Sequence, residues 1–167
     1  WTTAFGDSLW AMRGLRVLFG AGAILGMYVF CREVFSERGD GIALLTAALV
    51  ALRTLQIRWS AEVRMYAMGA ALCAFSSWAL ARALRPGQDR LFPWVIYAVL
   101  ALAFAYTHQM ALFSVAAQGL FAVGLILVRG RAPGAGRSAR IASLRGGVVA
   151  AVLFAAGYGW WLAALVG

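Results

Sequence analysis

The chain of 167 residues has no lysine, one histidine, two cysteines, three prolines and six acidic residues. Each shortage excludes something. A lone His108, with Cys31 and Cys73 in separate apolar stretches, offers neither zinc-ligand spacing nor a disulfide framework. No metal site or cofactor is evident, and the cysteines read as small apolar packers. Pro86, Pro93 and Pro133 lie in loops or at the start of an apolar run, so none interrupts one. With so few carboxylates, fifteen arginines leave a net charge of +9. A basic balance can mark a nucleic-acid partner, but that footprint is a patch on a soluble fold. Here the arginines gather at the ends of apolar runs, where positive charge sets membrane orientation, so nucleic acid is not an expected partner.

What the chain does have is apolar surface. It is 63% hydrophobic with a mean hydropathy of +0.81, well above a soluble domain. Apolar runs of spanning length recur throughout, so the expected protein is polytopic and its surroundings are membrane lipids. It opens at Trp1 with no basic segment and cleavage site of a signal peptide, and it closes at Gly167 directly after an apolar run. The expectation is a piece of a longer membrane protein.

Six spans are expected, at about 9–31, 42–57, 65–84, 92–106, 109–128 and 146–166. The first contains Gly22-Ala-Ile-Leu-Gly26, a small-residue pattern that lets helix backbones approach closely in lipid. The run from Leu91 to Val128 would be about 55 Å long as one helix, against a hydrocarbon core of about 30 Å. It therefore divides, and Tyr106-Thr-His-Gln109 is the natural turn. Residues 129–145 hold Pro133, three glycines and five arginines before Gly146, and read as a flexible cytoplasmic loop. Only helices or closed barrels cross a bilayer. These runs are too long and too evenly apolar for barrel strands. The fold class is all-α, a polytopic transmembrane helical bundle in one domain.

Counting arginines orients it. Arg32, Arg38, Arg82, Arg85, Arg90, Arg129, Arg131, Arg137, Arg140 and Arg145 share one side; Arg13, Arg16, Arg53, Arg58 and Arg64 share the other. The larger set belongs in the cytoplasm. The chain start, Arg58–Ala67 and the Tyr106–Gln109 turn then face outward.

Arg58-Trp-Ser-Ala-Glu-Val-Arg-Met-Tyr-Ala67 is consequently out of place, since topology asks for no arginine on that side. Charge at the membrane without a topological reason marks a candidate site. Glu62 lies four residues from both Arg58 and Tyr66, so the three share a face if the segment is helical. Ser60 can cap the helix, and a helix N-terminus beside Arg64 favours an anion. The planar guanidinium fork suits phosphate, which makes Arg58 and Arg64 candidate phosphate ligands. An interfacial Glu62–arginine pair, and an aromatic belt holding Trp59 and Tyr66, are the plainer alternatives.

The segment resembles the S-x-E-a-R-M-Y motif of polyprenyl-phosphate-dependent membrane glycosyltransferases of the GT-C fold, and more closely the family 39 protein-mannosyltransferase-like group, matching at Ser60, Glu62, Arg64, Met65 and Tyr66. Gly6, Ser8, Ala11 and Arg13 are similar to that family's G-x-S-x-x-A-x-R segment, and Tyr28, Arg32 and Phe35 to the end of a following span. The likeness runs from about Phe5 to Val128. Two features depart from it: residues 52–55 contain no proline, and Ala61 stands where a polar residue is common.

The resemblance implies a partial GT-C transmembrane domain. It implies an enzyme that moves a sugar from a polyprenyl-phosphate donor to an acceptor glycan, lipid or protein at the outer (periplasmic or extracytoplasmic) face of the cell membrane. The family's acidic base belongs to an outward loop expected upstream of this chain. Within the chain Asp7 is the catalytic candidate, with an interfacial cap as its plainer role. Arg58, Glu62, Arg64 and Tyr66 are expected to bind the donor phosphate or sugar, and His108 to contact the donor headgroup or acceptor. The alternative class is a segment of a transporter or lipid flippase, which places ionisable groups and broken helices near the midplane. No acidic residue lies mid-span here.

Overall fold

A computed structural model describes residues 9–35, 39–52, 66–87, 90–129 and 137–166. They form six helices: α1 (Leu9–Val34), α2 (Gly39–Leu52), α3 (Tyr66–Ala83), α4 (Phe92–Thr107), α5 (Ala111–Arg129) and α6 (Arg137–Val166). Among the described residues there is no strand. The fold is all-α, a helical membrane bundle.

Its surface and interior are inverted relative to a soluble protein. Large apolar side chains point outward, with Leu49, Phe113, Leu120 and Trp160 each more than 60% exposed. Alanines fill much of the core, at 79, 83, 98, 101, 122 and 150. In water so much exposed apolar surface would drive association. In lipid it faces its solvent, and small residues belong where helices meet. Among the described residues, three stretches are long and apolar enough to cross a bilayer: Val17–Val34, Ala111–Arg129 and Ile141–Trp161. Gly39–Leu52 and Phe92–Thr107 are shorter apolar helices.

The chain divides into two units, 1–75 and 76–167, at a boundary inside α3. In the first, α1 and α2 form a hairpin. Gly39 lies where an added Cβ would meet the Arg32 backbone at 3.3 Å, so the start of α2 packs closely on the end of α1. Arg32 Nε donates to Asp40 Oδ1 at 2.7 Å, and its guanidinium lies 5.6 Å from the Tyr28 ring centroid. Both charged side chains are exposed, so this pair contributes at most about 1 kcal/mol. The glycines of the small-residue pattern face α3. A Cβ on Gly22 would lie 3.6 Å from the Ala71 Cβ, whereas one on Gly26 would approach the Ala74 Cβ to 2.9 Å. Gly22→Ala is therefore expected to be tolerated, and Gly26→Leu to cost about 1–3 kcal/mol through overpacking. Denaturant titration of the full-length protein in micelles checks both; equal effects would discount the close approach at Gly26.

In the second unit α4 and α6 run side by side in the same direction. Gly146 sits against the indole of Trp94 near the start of α4, and Gly157 against Leu102 a few turns on. Trp94 is 2% exposed. The C-terminal half of α3 is tied to α5 by Gln118, whose Nε2 donates to Ser76 Oγ at 3.0 Å and Ser77 Oγ at 2.9 Å. Arg129 donates to the Leu84 carbonyl just past the end of α3, where a cation also complements the helix dipole.

The helices depart from the expected spans at their ends. The first continues three residues beyond Cys31, and the second begins at Gly39 rather than Ile42. Residues 53–57, expected in the second span, lie outside the described residues. The largest difference is α6, which starts at Arg137 inside the stretch expected as a flexible loop. Residues 137–145 lack proline and glycine, and alanine, leucine and arginine favour helix. A polar composition suggested a loop there, although nothing in it breaks a helix. The remainder of that stretch, 130–136, lies outside the described residues.

Candidate functional site

Of the site residues expected from sequence, Asp7, Arg58, Glu62 and Arg64 lie outside the described residues. Tyr66 is the first residue of α3 and half-buried. It belongs to the first unit and His108 to the second, so each is considered within its own.

His108 ends α4 in extended conformation, with φ −162° and ψ 135°. The helix stops there although no proline or glycine demands it. Thr107 Oγ1 donates back to the Phe104 carbonyl at 2.7 Å, offering the backbone a local alternative to another turn. The chain then reverses. The carbonyls of His108, Gln109 and Met110 accept from the amides of Ala111, Leu112 and Phe113 at 2.9, 3.1 and 3.2 Å, opening α5. The long apolar run does divide, at His108–Met110, so Tyr106 and Thr107, expected in the turn, still belong to α4.

The imidazole has a definite role in this turn. His108 Nδ1 accepts from the Met110 amide at 2.9 Å. A ring nitrogen that accepts carries no proton, so the neutral ring is the Nε2–H tautomer. His108 is half-buried, while Gln109 and Met110 are exposed at the tip.

An aromatic cluster lies at the same end of α4. Tyr106 Oη donates to the Gly157 carbonyl at 2.7 Å. Its ring centroid is 6.1 Å from Tyr158 and 6.0 Å from Trp161, the latter edge-on at 82°. Tyr158 is 5.5 Å from Trp161 and stacks on Phe154 at 5.8 Å. Offset and edge-on rings at these separations attract, and the tyrosine hydroxyl finds the acceptor it needs in an apolar setting. Sequence reasoning did not single out this cluster. The spacing of Phe154, Tyr158 and Trp161 on one face of α6 was available as a signal, but their partner on α4 was not.

Charge in this unit is polarised. Arg82, Arg85, Arg90, Arg129 and Arg145 lie at the end where α3 and α5 finish and α4 and α6 start, whereas the His108 end has no arginine among the described residues. Among the described residues no group of three His, Cys, Asp or Glu side chains gathers to hold a metal ion.

A sequence model of the dolichyl-phosphate-mannose-protein mannosyltransferase family matches residues 1–160. The chain belongs to that family. The mannosyltransferase match includes Asp7, the whole Arg58–Ala67 segment and the His108 turn. It makes the protein an integral membrane glycosyltransferase, mannosyltransferase-like in type, and sets aside the transporter alternative. No curated protein and no solved structure matches the chain.

Proposed function

We propose that this protein takes part in moving a sugar, mannose or a related hexose, from a polyprenyl-phosphate donor to an acceptor at the outer face of the cell membrane. The observation that carries this is the family match across residues 1–160, which includes the charged segment whose position topology does not explain. The outward assignment is supported by the polarised arginines of the second unit, since the arginine-rich end belongs in the cytoplasm and His108 is at the other.

The chemistry is a displacement at the sugar's anomeric carbon. An acceptor oxygen forms the new bond while the bond to the donor phosphate oxygen breaks, and the acceptor proton passes to a carboxylate base. Negative charge grows on the departing phosphate, and a fixed cation beside it lowers the barrier. Arg64 fills that role, with Arg58 as a second phosphate ligand. Glu62 orients Arg64 or binds sugar hydroxyls, and Tyr66 hydrogen-bonds the phosphate or stacks on the sugar. Asp7 is the acidic candidate within the chain. His108 touches the donor headgroup or the acceptor.

Proteoliposomes holding the full-length protein and a labelled polyprenyl-phosphate hexose are expected to consume that donor when acceptor extract is added outside. A nucleotide sugar in its place should not be consumed. Intact lipid-linked donor, or equal use of the nucleotide sugar, overturns the donor assignment.

A further inference from the structure

Within the second unit, α4, α5 and α6 leave a groove of about 460 Å³ between them. Its walls include Tyr97 and Ala101 on α4, Gly119 and Ala122 on α5, and Leu144 and Phe154 on α6. Seven of the sixteen lining residues are glycine or alanine, whose side chains are too short to close the gap between the helices. An added Cβ on Gly119 would meet nothing within 4 Å, so the space before it is open. From Leu144 to Phe154 the groove follows α6 for about 15 Å, starting near the arginine-bearing end. The lining carries no charge and a single hydroxyl, that of Tyr97. Tyr97 is 8% exposed. Its Oη has no hydrogen-bond partner among the described residues, yet it is not sealed from the groove. Tyr106, at the other end of α4, has the Gly157 carbonyl as acceptor. An unpaired hydroxyl in an apolar setting is costly, so Tyr97 calls for an acceptor carried by whatever fills the groove.

We propose that this groove holds one acyl chain of an ester-linked glycerophospholipid, with Tyr97 Oη donating to the ester carbonyl. Depth selects that occupant first. Tyr97 lies five residues past Phe92, the first residue of α4, or about 7.5 Å in from the arginine-bearing end, and about 15 Å from Thr107 at the other. A diacyl lipid of that leaflet carries its carbonyls just below its headgroup, where the polar layer meets the hydrocarbon core. The second ground is the pairing of one hydroxyl with a largely apolar lining. An acyl chain brings one carbonyl followed by hydrocarbon alone. A helix from a second copy has its carbonyls engaged in its own hydrogen bonds, and an isoprenoid chain carries no acceptor along its length. Residues 130–136, between α5 and α6 in the sequence, offer no apolar side chain larger than proline. The lipid occupies the space between α5 and the α4–α6 pair and fastens them together. Its site is independent of the sugar donor, whose phosphate is proposed at the outer face.

The test counts lipid bound to the full-length protein in neutral detergent by native mass spectrometry, with no sugar-transfer step. Dioleoyl phosphatidylglycerol, which has ester carbonyls, is compared with its dialkyl-ether counterpart, which has none. Wild-type protein is expected to retain one diester lipid saturably, and about fivefold more tightly than the diether, as one buried hydrogen bond predicts. Tyr97→Phe keeps the ring and removes the hydroxyl, so it should bind both lipids alike, at the diether level. Gly119→Leu puts a side chain into the open space and should weaken both about tenfold. Equal binding of diester and diether by wild type overturns the proposal, and that comparison needs no variant to fold. A Tyr97→Phe protein that still prefers the diester would place the carbonyl elsewhere and overturn it too. Unchanged binding by Gly119→Leu would put the lipid outside the groove. Displacement of the diester by polyprenyl phosphate at matched concentration would assign the groove to the donor's chain instead.

Discussion

Arg64→Ala in the full-length protein is expected to lower sugar transfer about 10²–10³-fold, the loss seen when one fixed donor to a developing anion is removed. Arg64 follows Glu62 and precedes Tyr66 in a charged segment that topology leaves unexplained. Its effect should fall on turnover more than on donor affinity, because the phosphate gains negative charge as the anomeric bond breaks. Arg64→Lys keeps the charge but loses the planar fork, so it should recover only part of the rate. Expression and melting should stay close to wild type in both variants. Unchanged transfer by a normally expressed Arg64→Ala protein would remove Arg64 from the donor site and shift attention to Arg58.

The second large effect is structural. Gly146 lies against the Trp94 indole so closely that any Cβ there collides with the ring. Trp94 is 2% exposed and belongs to the main buried cluster of the second unit, so the ring has nowhere to swing. Gly146→Ala should cost about 1–3 kcal/mol through overpacking, and Gly146→Leu more, by forcing α6 away from α4. Trp94→Ala alone should cost about 3–5 kcal/mol by leaving a cavity. Combined with Gly146→Ala the losses should fall well short of additive, because the shortened side chain removes the collision. Unfolding of the four proteins in micelles gives the coupling directly. Strict additivity would show that the ring and the glycine do not constrain one another.

The membrane class, the small-residue face of α1 and the division of the long apolar run near His108 were all legible before any coordinates. Each depends on a local property: hydropathy over a span, glycines four residues apart, or a helix too long for the bilayer. Helix ends were less legible. Arg137 to Arg145 looked like loop because it is polar, yet a polar stretch without a breaker extends a helix readily beyond the lipid. The segment 58–67 became a candidate through its charge, and His108 through its place in the turn.

By itself, the order of residues determined that this protein is a set of apolar helices bearing one anomalous charged segment. Composition and periodicity are properties of neighbouring residues, and they need no knowledge of distant ones. Tertiary structure alone decided which residues meet: Gly146 with Trp94, Gln118 with Ser76 and Ser77, Tyr106 with Gly157 and the α6 aromatics, and Tyr97 with Gly119 around one groove. Lipid offers no hydrophobic drive to pair particular helices, so the pairing rests on close packing and a few hydrogen bonds between residues far apart in the chain. Such complementarity exists only once the helices are side by side, which is why no single stretch of the sequence displays it.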